Sequence, residues 1–566
     1  MNCITGQACK HYNEGSSRQQ PQPKRSWSIV DLRTRDSGML RRGPCWIEAL
    51  PAELFDLIFS HVSGTAAMNS VYCHGEQHSQ RLSLDRMAAL DQERCRAMTQ
   101  VCRRWRAQLM PLYYQYAVYN GKTNELEIPE EHLEYVRRIL IQIPNGYRSF
   151  RSAARAMNWL PAEVRNKVRW LGLAMGDGAT ISRSEYGALA GFFPNLVAVS
   201  MDLARVDLRE RNICPAILDS DSGVRITALA FHRCGLADQM LRAKLICRAA
   251  ATLEFLDTGQ FDAPVLADVF WPTKPSGSVR FPQLRRLYFH ISSVAGKLAV
   301  LSHTGRQLFP KVEELRCVLN VASGGADEGA DNLRMLVESV LSHQLPELLR
   351  LSVIYDLAWM MPELSPAAMP ALNHLLLTWR CEHIVANDAR YDDAMLNRSL
   401  GMTAGFTQLR LFSIRAPATT DGGTLQLREH LTGLRILDLR TWALSLCDLQ
   451  TVLKHLPGVQ DLALTLTRYG GYPDPEDIEF NLQMRRLWLD TVDCKWDNPS
   501  LDSLLTTVTQ MVNLWEVLLF KRALLRLKTM IAKAKSDDLY DFAKRIKIGQ
   551  CNCDERTVKT SSTLSL

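Results

Sequence analysis

The chain has 566 residues, of which 46% are apolar and 22% are charged, and its formal net charge at pH 7 is +7. This composition is typical of a globular protein, and no apolar run approaches the ~20 residues that a helix needs to cross a bilayer. The positive charge is small for this length, and no stripe of basic and aromatic residues accompanies it, so we expect neither a nucleic-acid nor a membrane partner.

The first segment, residues 1–44, is polar and rich in Ser, Gln, Pro and Arg, which predicts a disordered basic arm. Its polar start shows no secretory signal, and the 15 cysteines of the chain are odd in number and scattered. These features favour reduced thiols and a location in the cytoplasm, the nucleus or both.

Two helical patterns follow within residues 45–120. Pro51 suits the first turn of a helix, and apolar residues then recur at helical spacing from Leu54 to Val62. The second pattern contains the run Val101-Cys102-Arg103-Arg104-Trp105-Arg106. Residues 63–81 between them are rich in Ser, Asn, Gln and His and are interpreted as an inserted loop.

A Leu-Pro-x-Glu-aliphatic opening followed by Val-Cys-Arg-Arg-Trp-Arg resembles the F-box. The F-box is a small all-α module that binds the Skp adaptor of SCF-type cullin–RING ubiquitin ligases. The inserted loop makes the gap between Pro51 and Val101 longer than is usual in the family. Carried over by position, the resemblance implies an adaptor-binding surface made by Leu50, Pro51, Leu54, Phe55, Ile58, Val101, Cys102 and Trp105. An ordinary helical hairpin without a partner remains the alternative.

Residues 121–520 contain a repeated unit of the form apolar-x-x-apolar-x-apolar, spaced by about 29 residues on average, which fits the leucine-rich repeat. The copies begin at Val136, Val168, Leu196, Ile226, Leu253, Leu284, Val312, Leu348, Leu372, Leu409, Leu434, Val459, Met484 and Leu514. In six units a proline preceded by a large apolar residue stands two positions before the start: Pro194, Pro282, Pro310, Pro346, Pro370 and Pro457. We interpret these prolines as stops for the preceding helix.

The pattern predicts an α/β leucine-rich-repeat solenoid, or horseshoe, with a parallel sheet on its concave side and helices on its convex side. Helical periodicity marks residues 331–345 and 446–456 as convex segments. Residues 521–548 are interpreted as a basic amphipathic helix that caps the last repeat, and residues 549–566 as a disordered tail.

Alternate residues of each predicted strand point away from the core, and arginine recurs among them. The candidate substrate-binding residues are Arg286, Tyr288, Arg316, Arg350, Arg415, Arg440, Arg486 and Trp488, in a wider outward set with His290, Ser352, Arg380 and Asp438. Arg and Trp are enriched at binding hot spots, and arginines on neighbouring strands could together hold an acidic or phosphorylated segment. The competing interpretation is a solvated polar face.

We find no catalytic motif, metal-ligand spacing or cofactor-binding loop, so we expect a non-catalytic protein without a cofactor. The resemblance implies a substrate receptor of an SCF-type ubiquitin ligase, with the Skp adaptor and a cullin as partners and an unknown protein as substrate. The alternative is a leucine-rich-repeat interaction scaffold unrelated to ubiquitination. A hydrolase hidden in the solenoid has no motif in its favour.

Overall fold

The structure is a computed structural model of the chain. It describes residues 106, 110–111, 113–123, 125–143, 157, 160–175, 192–203, 225–232, 239–271, 281–293, 308–321, 336–341, 345–355, 364–379, 400–415, 431, 433–466, 483–491, 496–511, 513–533, 542 and 546–551. The predicted adaptor-binding residues, the arm 1–44 and the loop 63–81 lie outside these ranges.

One 17-stranded sheet dominates the described residues. Its strands are β1 (Tyr116–Asn120), β2 (Glu125–Leu126), β3 (Arg138–Ile143), β4 (Trp170–Met175), β5 (Ala198–Leu203), β6 (Ala228–His232), β7 (Phe255–Asp262), β8 (Arg286–Ser293), β9 (Glu314–Val321), β10 (Arg350–Tyr355), β11 (His374–Trp379), β12 (Leu411–Arg415), β13 (Ile436–Leu444), β14 (Asp461–Leu466), β15 (Arg486–Thr491), β16 (Glu516–Phe520) and β17 (Lys547–Cys551).

The strands pair in chain order from β3 to β17, and every one of these pairings is parallel. At the N-terminal edge β1 pairs with β3 in parallel and with β2 in antiparallel orientation. The register shifts in β7 between Asp257 and Gln260, and in β13 between Leu439 and Ala443. A parallel sheet in which each strand pairs with the next along the chain is the architecture of an α/β solenoid of leucine-rich-repeat type, as predicted.

The repeat phase predicted from the sequence is confirmed at every copy. Each predicted start, from Val136 to Leu514, is buried, and a strand begins two residues after it. The sheet also extends beyond the predicted solenoid range of 121–520, because β1 lies within residues 45–120, which the resemblance assigns to the F-box module.

The prolines before the repeat starts lie in tight turns, which is a more specific role than ending the preceding helix. In the unit containing Pro194, the amide of Leu196 donates to the carbonyl of Phe193 at 3.1 Å, which closes a tight turn around the proline. Equivalent bonds join Val312 to Phe309 at 3.3 Å and Leu348 to Leu345 at 3.1 Å. Proline is favoured at the second position of such turns because its φ is already set, and the preceding apolar residue is buried in each unit.

The helices lie between strands in the chain: α1 (Ala162–Lys167), α2 (Gln239–Ala249), α3 (Ala263–Phe270), α4 (Leu446–His455), α5 (Asn498–Thr509) and α6 (Lys521–Lys533), with 3₁₀ segments at Glu130–Tyr135 and Thr403–Gly405. Residues 336–341 are also helical, so both predicted convex segments contain helix. A capping box between Ser445 and Asp448 begins α4. Apolar residues of these helices and alternate residues of the strands form one continuous buried core.

The C-terminal end differs from the predicted single helix over 521–548. The helix α6 ends at Lys533, and the chain then adds β17, which begins at Lys547 and pairs in parallel with β16. β17 therefore includes Cys551, within the segment interpreted as a disordered tail. Ile548 is buried beside Val517, so the last strand extends the apolar core by one more repeat.

Candidate functional site

The outward residues of the strands share one face of the sheet, called here the far face because it lies opposite the helix-covered core. Parallel register places equivalent residues of successive repeats side by side at about 4.8 Å. Arg286 thus lies beside Glu314, which lies beside Arg350. Opposite charges alternate along this row.

The predicted residues on β8 and β9 form a hydrogen-bonded group. The Tyr288 hydroxyl donates to Oε1 of Glu314 at 2.6 Å, and the Arg286 Nε lies 4.0 Å from Oε2 of the same carboxylate. Burial, and then the Glu314 charge, raise the pKa of Tyr288 far above its ordinary value, so the phenol stays protonated. Arg316 is the register neighbour of Tyr288.

A second group lies on β13 to β15. Arg440 folds back along its own strand and donates through Nε and Nη2 to the two carboxylate oxygens of Asp438 at 2.9 and 2.8 Å. The Cζ atom of Arg440 lies 4.3 Å from the centroid of the Trp488 ring. The Arg440 and Asp438 side chains are only 13% and 5% exposed, so the ion pair is largely shielded from water.

A small residue makes the contact between β13 and β15 possible. Asp438, Ala463 and Trp488 are register neighbours on three successive strands. The intervening strand contributes only a methyl group at this position, and a longer side chain would occupy the space above β14. Arg440 crosses that space to stack on Trp488, two strands away.

Arg486 is also paired. Its Nε donates to Oδ1 of Asp461 at 2.7 Å, and its Nη2 contacts Oδ2. The two residues occupy equivalent positions in successive repeats and face each other across β14 and β15. The Trp488 group, defined as Asp438, Arg440, Asp461, Arg486 and Trp488, therefore contains two bidentate ion pairs around one aromatic ring.

The structure places the predicted binding residues in two groups and not in one row. Arg286, Tyr288, Arg316 and Arg350 lie on β8 to β10, and Arg440, Arg486 and Trp488 lie on β13 and β15. Between the two groups, β11 and β12 place His374, Leu376, Leu411 and Ser413 at far-face positions. Arg415 ends β12, and Arg380 lies outside the described residues.

The ion pairs of the site are not predicted when each strand is considered by itself. Asp438 and Arg440 are two positions apart, which puts both side chains on one face of a strand. Asp461 and Arg486 are separated by one whole repeat, which makes them register neighbours on the adjacent strands β14 and β15. Both signals are present in the sequence once the repeats are aligned, because the starts at Val459 and Met484 are separated by the same interval.

His374 lies beside Arg350 on the far face. Burial, and then the cations Arg350 and Arg410, lower the pKa of His374 from its ordinary 6.5 to about 4. The imidazole is therefore neutral at physiological pH and adds no charge to this part of the sheet.

This shift predicts a contribution of His374 to acid sensitivity. Between pH 6.5 and about 4 the unfolded chain binds more protons at His374 than the folded chain does, so the free energy of unfolding falls as the pH is lowered through this interval. Above pH 6.5 the group contributes no pH dependence. Urea unfolding of wild type and His374→Gln at neutral and at acidic pH should show a smaller acid-induced loss in the variant, and equal losses would contradict the shift.

Among the described residues, no cluster of three or more His, Cys, Asp or Glu side chains could hold a metal ion. Within the same ranges, no helix is both long and apolar enough to span a membrane. Cys247, Cys317 and Cys447 form no disulfide bond within the described residues.

No protein-family profile matches the chain, and no curated protein matches it. Solved structures similar to it include an internalin from Listeria monocytogenes, at 12% identity over 66% of this chain and 91% of that chain, with a TM-score of 0.32. Human trophoblast glycoprotein is similar at 19% identity over 48% and 79%, with a TM-score of 0.23, and the leucine-rich repeat domain of APL1B at 13% over 70% and 78%, with a TM-score of 0.20. Because these TM-scores are low, the fold assignment rests on the parallel sheet itself.

Proposed function

We propose that this chain is a protein-interaction scaffold that holds a partner protein on the far face of its solenoid. The observation that carries the proposal is the Trp488 group, in which an aromatic ring and two arginines from β13 and β15 are brought together. Trp and Arg are the residue types that dominate protein–protein binding energies. The ion pairs hold both guanidinium groups in place before a partner arrives, which lowers the entropic cost of binding.

Because Arg440 and Arg486 are already paired with aspartates, an acidic partner is not the one that fits this group best. A carboxylate or phosphate would have to compete with Asp438 and Asp461, which already hold Arg440 and Arg486. A partner that packs an apolar or aromatic side chain on the part of Trp488 that Arg440 leaves uncovered needs no such exchange. The hypothesis of an acidic segment held by these arginines remains a prediction, but their ion pairs do not favour it.

Replacing Trp488 with Ala should therefore remove the far-face partner from the proteins that co-purify with the full chain. Quantitative mass spectrometry of co-purified proteins would compare wild type, Trp488→Ala and Trp488→Phe. We expect the same partner to be lost with Ala and recovered with Phe, because Phe keeps an aromatic surface at this position. An unchanged set of partners in Trp488→Ala would contradict the assignment of binding to the Trp488 group.

A second and more specific proposal is that the scaffold is the substrate receptor of an SCF-type ubiquitin ligase. The observation in its favour is the sequence pattern Leu50-Pro51 with Val101, Cys102 and Trp105, which resembles the F-box. The F-box would hold the Skp adaptor and the cullin, and the solenoid would hold the substrate in the cytoplasm or nucleus. Ubiquitin transfer would then occur on other subunits, with this chain acting by proximity.

The ligase proposal predicts that the double substitution Leu50→Ala and Pro51→Ala abolishes co-purification of the Skp adaptor. The partner lost in Trp488→Ala should be retained by this double variant, because the solenoid is unaltered. Trp488→Ala is the matched reciprocal control, since it should keep the adaptor. Undiminished adaptor recovery by the double variant would leave the scaffold proposal standing without the ligase.

A further inference from the structure

The edge of the sheet where the strands begin carries a row of residues that the Trp488 group does not use. Each residue of this rim row directly follows a repeat start, and the row consists of Arg410, Arg435, Gln460, Arg485 and Trp515. The amide of Arg435 donates to the carbonyl of Arg410 at 2.7 Å, and Trp515 donates to Arg485 at 2.9 Å. Gln460 joins the two halves, bonded to Arg435 at 2.8 Å and to Arg485 at 2.7 Å.

The rim row is positively charged and faces solvent. Its three arginines are exposed, and Trp515 is 50% exposed, among the largest exposed apolar side chains of the described residues. The residues immediately before the same repeat starts are Gln408, Gly433, Gly458, Gln483 and Asn513, so none of the ten flanking positions is acidic. The carboxylates that follow in β14 and β16 are already bonded, Asp461 to Arg486 and Glu516 to Lys547 at 2.8 Å.

The N-terminal half of the same edge differs in its charged residues. The equivalent positions include Glu254, Arg285 and Glu313, and Arg285 donates to the Glu313 carboxylate at 3.1 Å. Before β10 these positions hold three arginines, Arg137, Arg169 and Arg285, and two glutamates, whereas the rim row holds three arginines and no carboxylate. Because the two halves share one backbone geometry, the difference lies in the side chains alone.

A depression of about 480 Å³ opens at the C-terminal end of the rim row. Its lining consists of Gln460, Gln483, Arg485, Asn513 and Trp515. The amides of Gln460 and Asn513 can both donate and accept hydrogen bonds, which suits the peptide groups of a bound chain, and the amide oxygen of Gln483 accepts from Nη1 of Arg435 at 2.9 Å. The indole face of Trp515 can hold an aromatic or aliphatic side chain beside them.

We infer that the rim row is a docking edge for an extended acidic segment of a partner protein, with one aromatic or large aliphatic residue of that segment seated against Trp515. The five side chains stack at about 4.8 Å, so the row spans ~19 Å, which about six extended residues cover. Carboxylates of the segment would pair with Arg410, Arg435 and Arg485. The inference rests on the proposed protein-binding function, but it assigns the acidic partner to the edge and not to the paired arginines of the far face.

A single-stranded nucleic acid fits the row less well than a peptide. Proteins that bind such strands stack successive bases on several aromatic side chains. The rim row offers one aromatic residue, at its end, and its central position is the amide of Gln460. Oligothymidylate binding is therefore an outcome of the test that would overturn the inference.

The test is a selection of random peptides displayed on phage, using the full chain as bait. The counter-selection uses a rim variant that combines Arg410→Gln, Arg435→Gln and Arg485→Gln. We expect wild type, and not the rim variant, to enrich peptides rich in Asp and Glu that contain an aromatic or large aliphatic residue. The binding of one enriched peptide, measured by fluorescence anisotropy, should weaken about tenfold in the rim variant and several-fold in Trp515→Ala, as expected when a few exposed ion pairs are lost.

Arg285→Gln is the matched control, because Arg285 occupies the same position in the N-terminal half of the edge, where it is paired with Glu313, and it should leave affinity unchanged. Each variant should unfold like wild type, which would show that a loss of affinity does not come from a loss of stability. Enrichment of peptides without acidic residues, failure to enrich any, or equal affinity for the rim variant would overturn the inference. Tighter, rim-dependent binding of oligothymidylate would also overturn it. If the enriched peptides lose affinity in Trp488→Ala and keep it in the rim variant, the rim inference fails while the proposed function stands.

Discussion

Replacing Gly259 with Ala is expected to destabilise the solenoid by roughly 3 kcal/mol or more, which places it among severe single substitutions. Gly259 has a φ of +69°, a conformation that costs an L side chain about 1 kcal/mol or more. An added Cβ would lie 2.4 Å from the Phe231 carbonyl oxygen and 2.5 Å from Nη1 of Arg242. The carbonyl belongs to the neighbouring strand β6 and cannot move without breaking the sheet.

The conformation of Gly259 belongs to the bulge that shifts the register of β7. Within that bulge the carbonyls of Thr258 and Gln260 accept hydrogen bonds from the buried guanidinium of Arg242 on α2, at 2.8 and 2.7 Å. The same guanidinium lies 4.6 Å from the ring centroid of Phe261. Gly259→Ala would therefore disturb a buried cation as well as the backbone, which is why its cost exceeds that of the unfavourable φ alone.

Gly433→Ala is the matched control for this prediction. A Cβ at Gly433 would meet its nearest atoms, the carbonyl oxygens of Leu409 and Thr407, at an ordinary 3.7 Å. Urea unfolding should give a change within about 0.5 kcal/mol for Gly433→Ala. Hydrogen exchange should show faster exchange of the amides of β6 to β8 in Gly259→Ala. Equal stability of the two variants would contradict the strain assigned to the bulge.

The repeat phase was predictable because it depends on residues that every unit must bury. Val136, Leu372 and Leu514 differ in their neighbours, yet each precedes a strand by the same two residues, since each fills the same place in the core. The bulges were not predictable, because they depend on a partner distant in sequence. Thr258-Gly259 can be recognised as an interruption only when Arg242 is seen to satisfy its carbonyls.

The C-terminal end and the site were predictable only in part, for a similar reason. Residues 521–548 have a basic amphipathic pattern, and the pattern does not show that the helix ends at Lys533 and leaves room for β17. The outward arginines of the far face were found by alternation alone. Alternation does not show whether Arg440 meets a ligand or Asp438, and it does not show the register shift between Leu439 and Ala443 that includes Arg440.

Replacing Arg440 with Met should destabilise the C-terminal repeats by about 3 kcal/mol, because it removes one partner of a largely buried ion pair. Met keeps most of the apolar stem of Arg440, and its thioether can pack on the Trp488 ring that the guanidinium covers, so the loss of packing is small. The Asp438 carboxylate, only 5% exposed, would lose its bidentate donor. Arg440→Glu, a substitution that would otherwise test binding of an acidic segment, adds a second negative charge beside Asp438 and would confound binding with folding.

The double variant Asp438→Asn with Arg440→Met should be far more stable than Arg440→Met alone, within about 1 kcal/mol of wild type, since no charge is then left without its partner. Urea unfolding of wild type, Asp438→Asn, Arg440→Met and the double variant at neutral pH measures the coupling. Additive effects would show that Asp438 and Arg440 act independently.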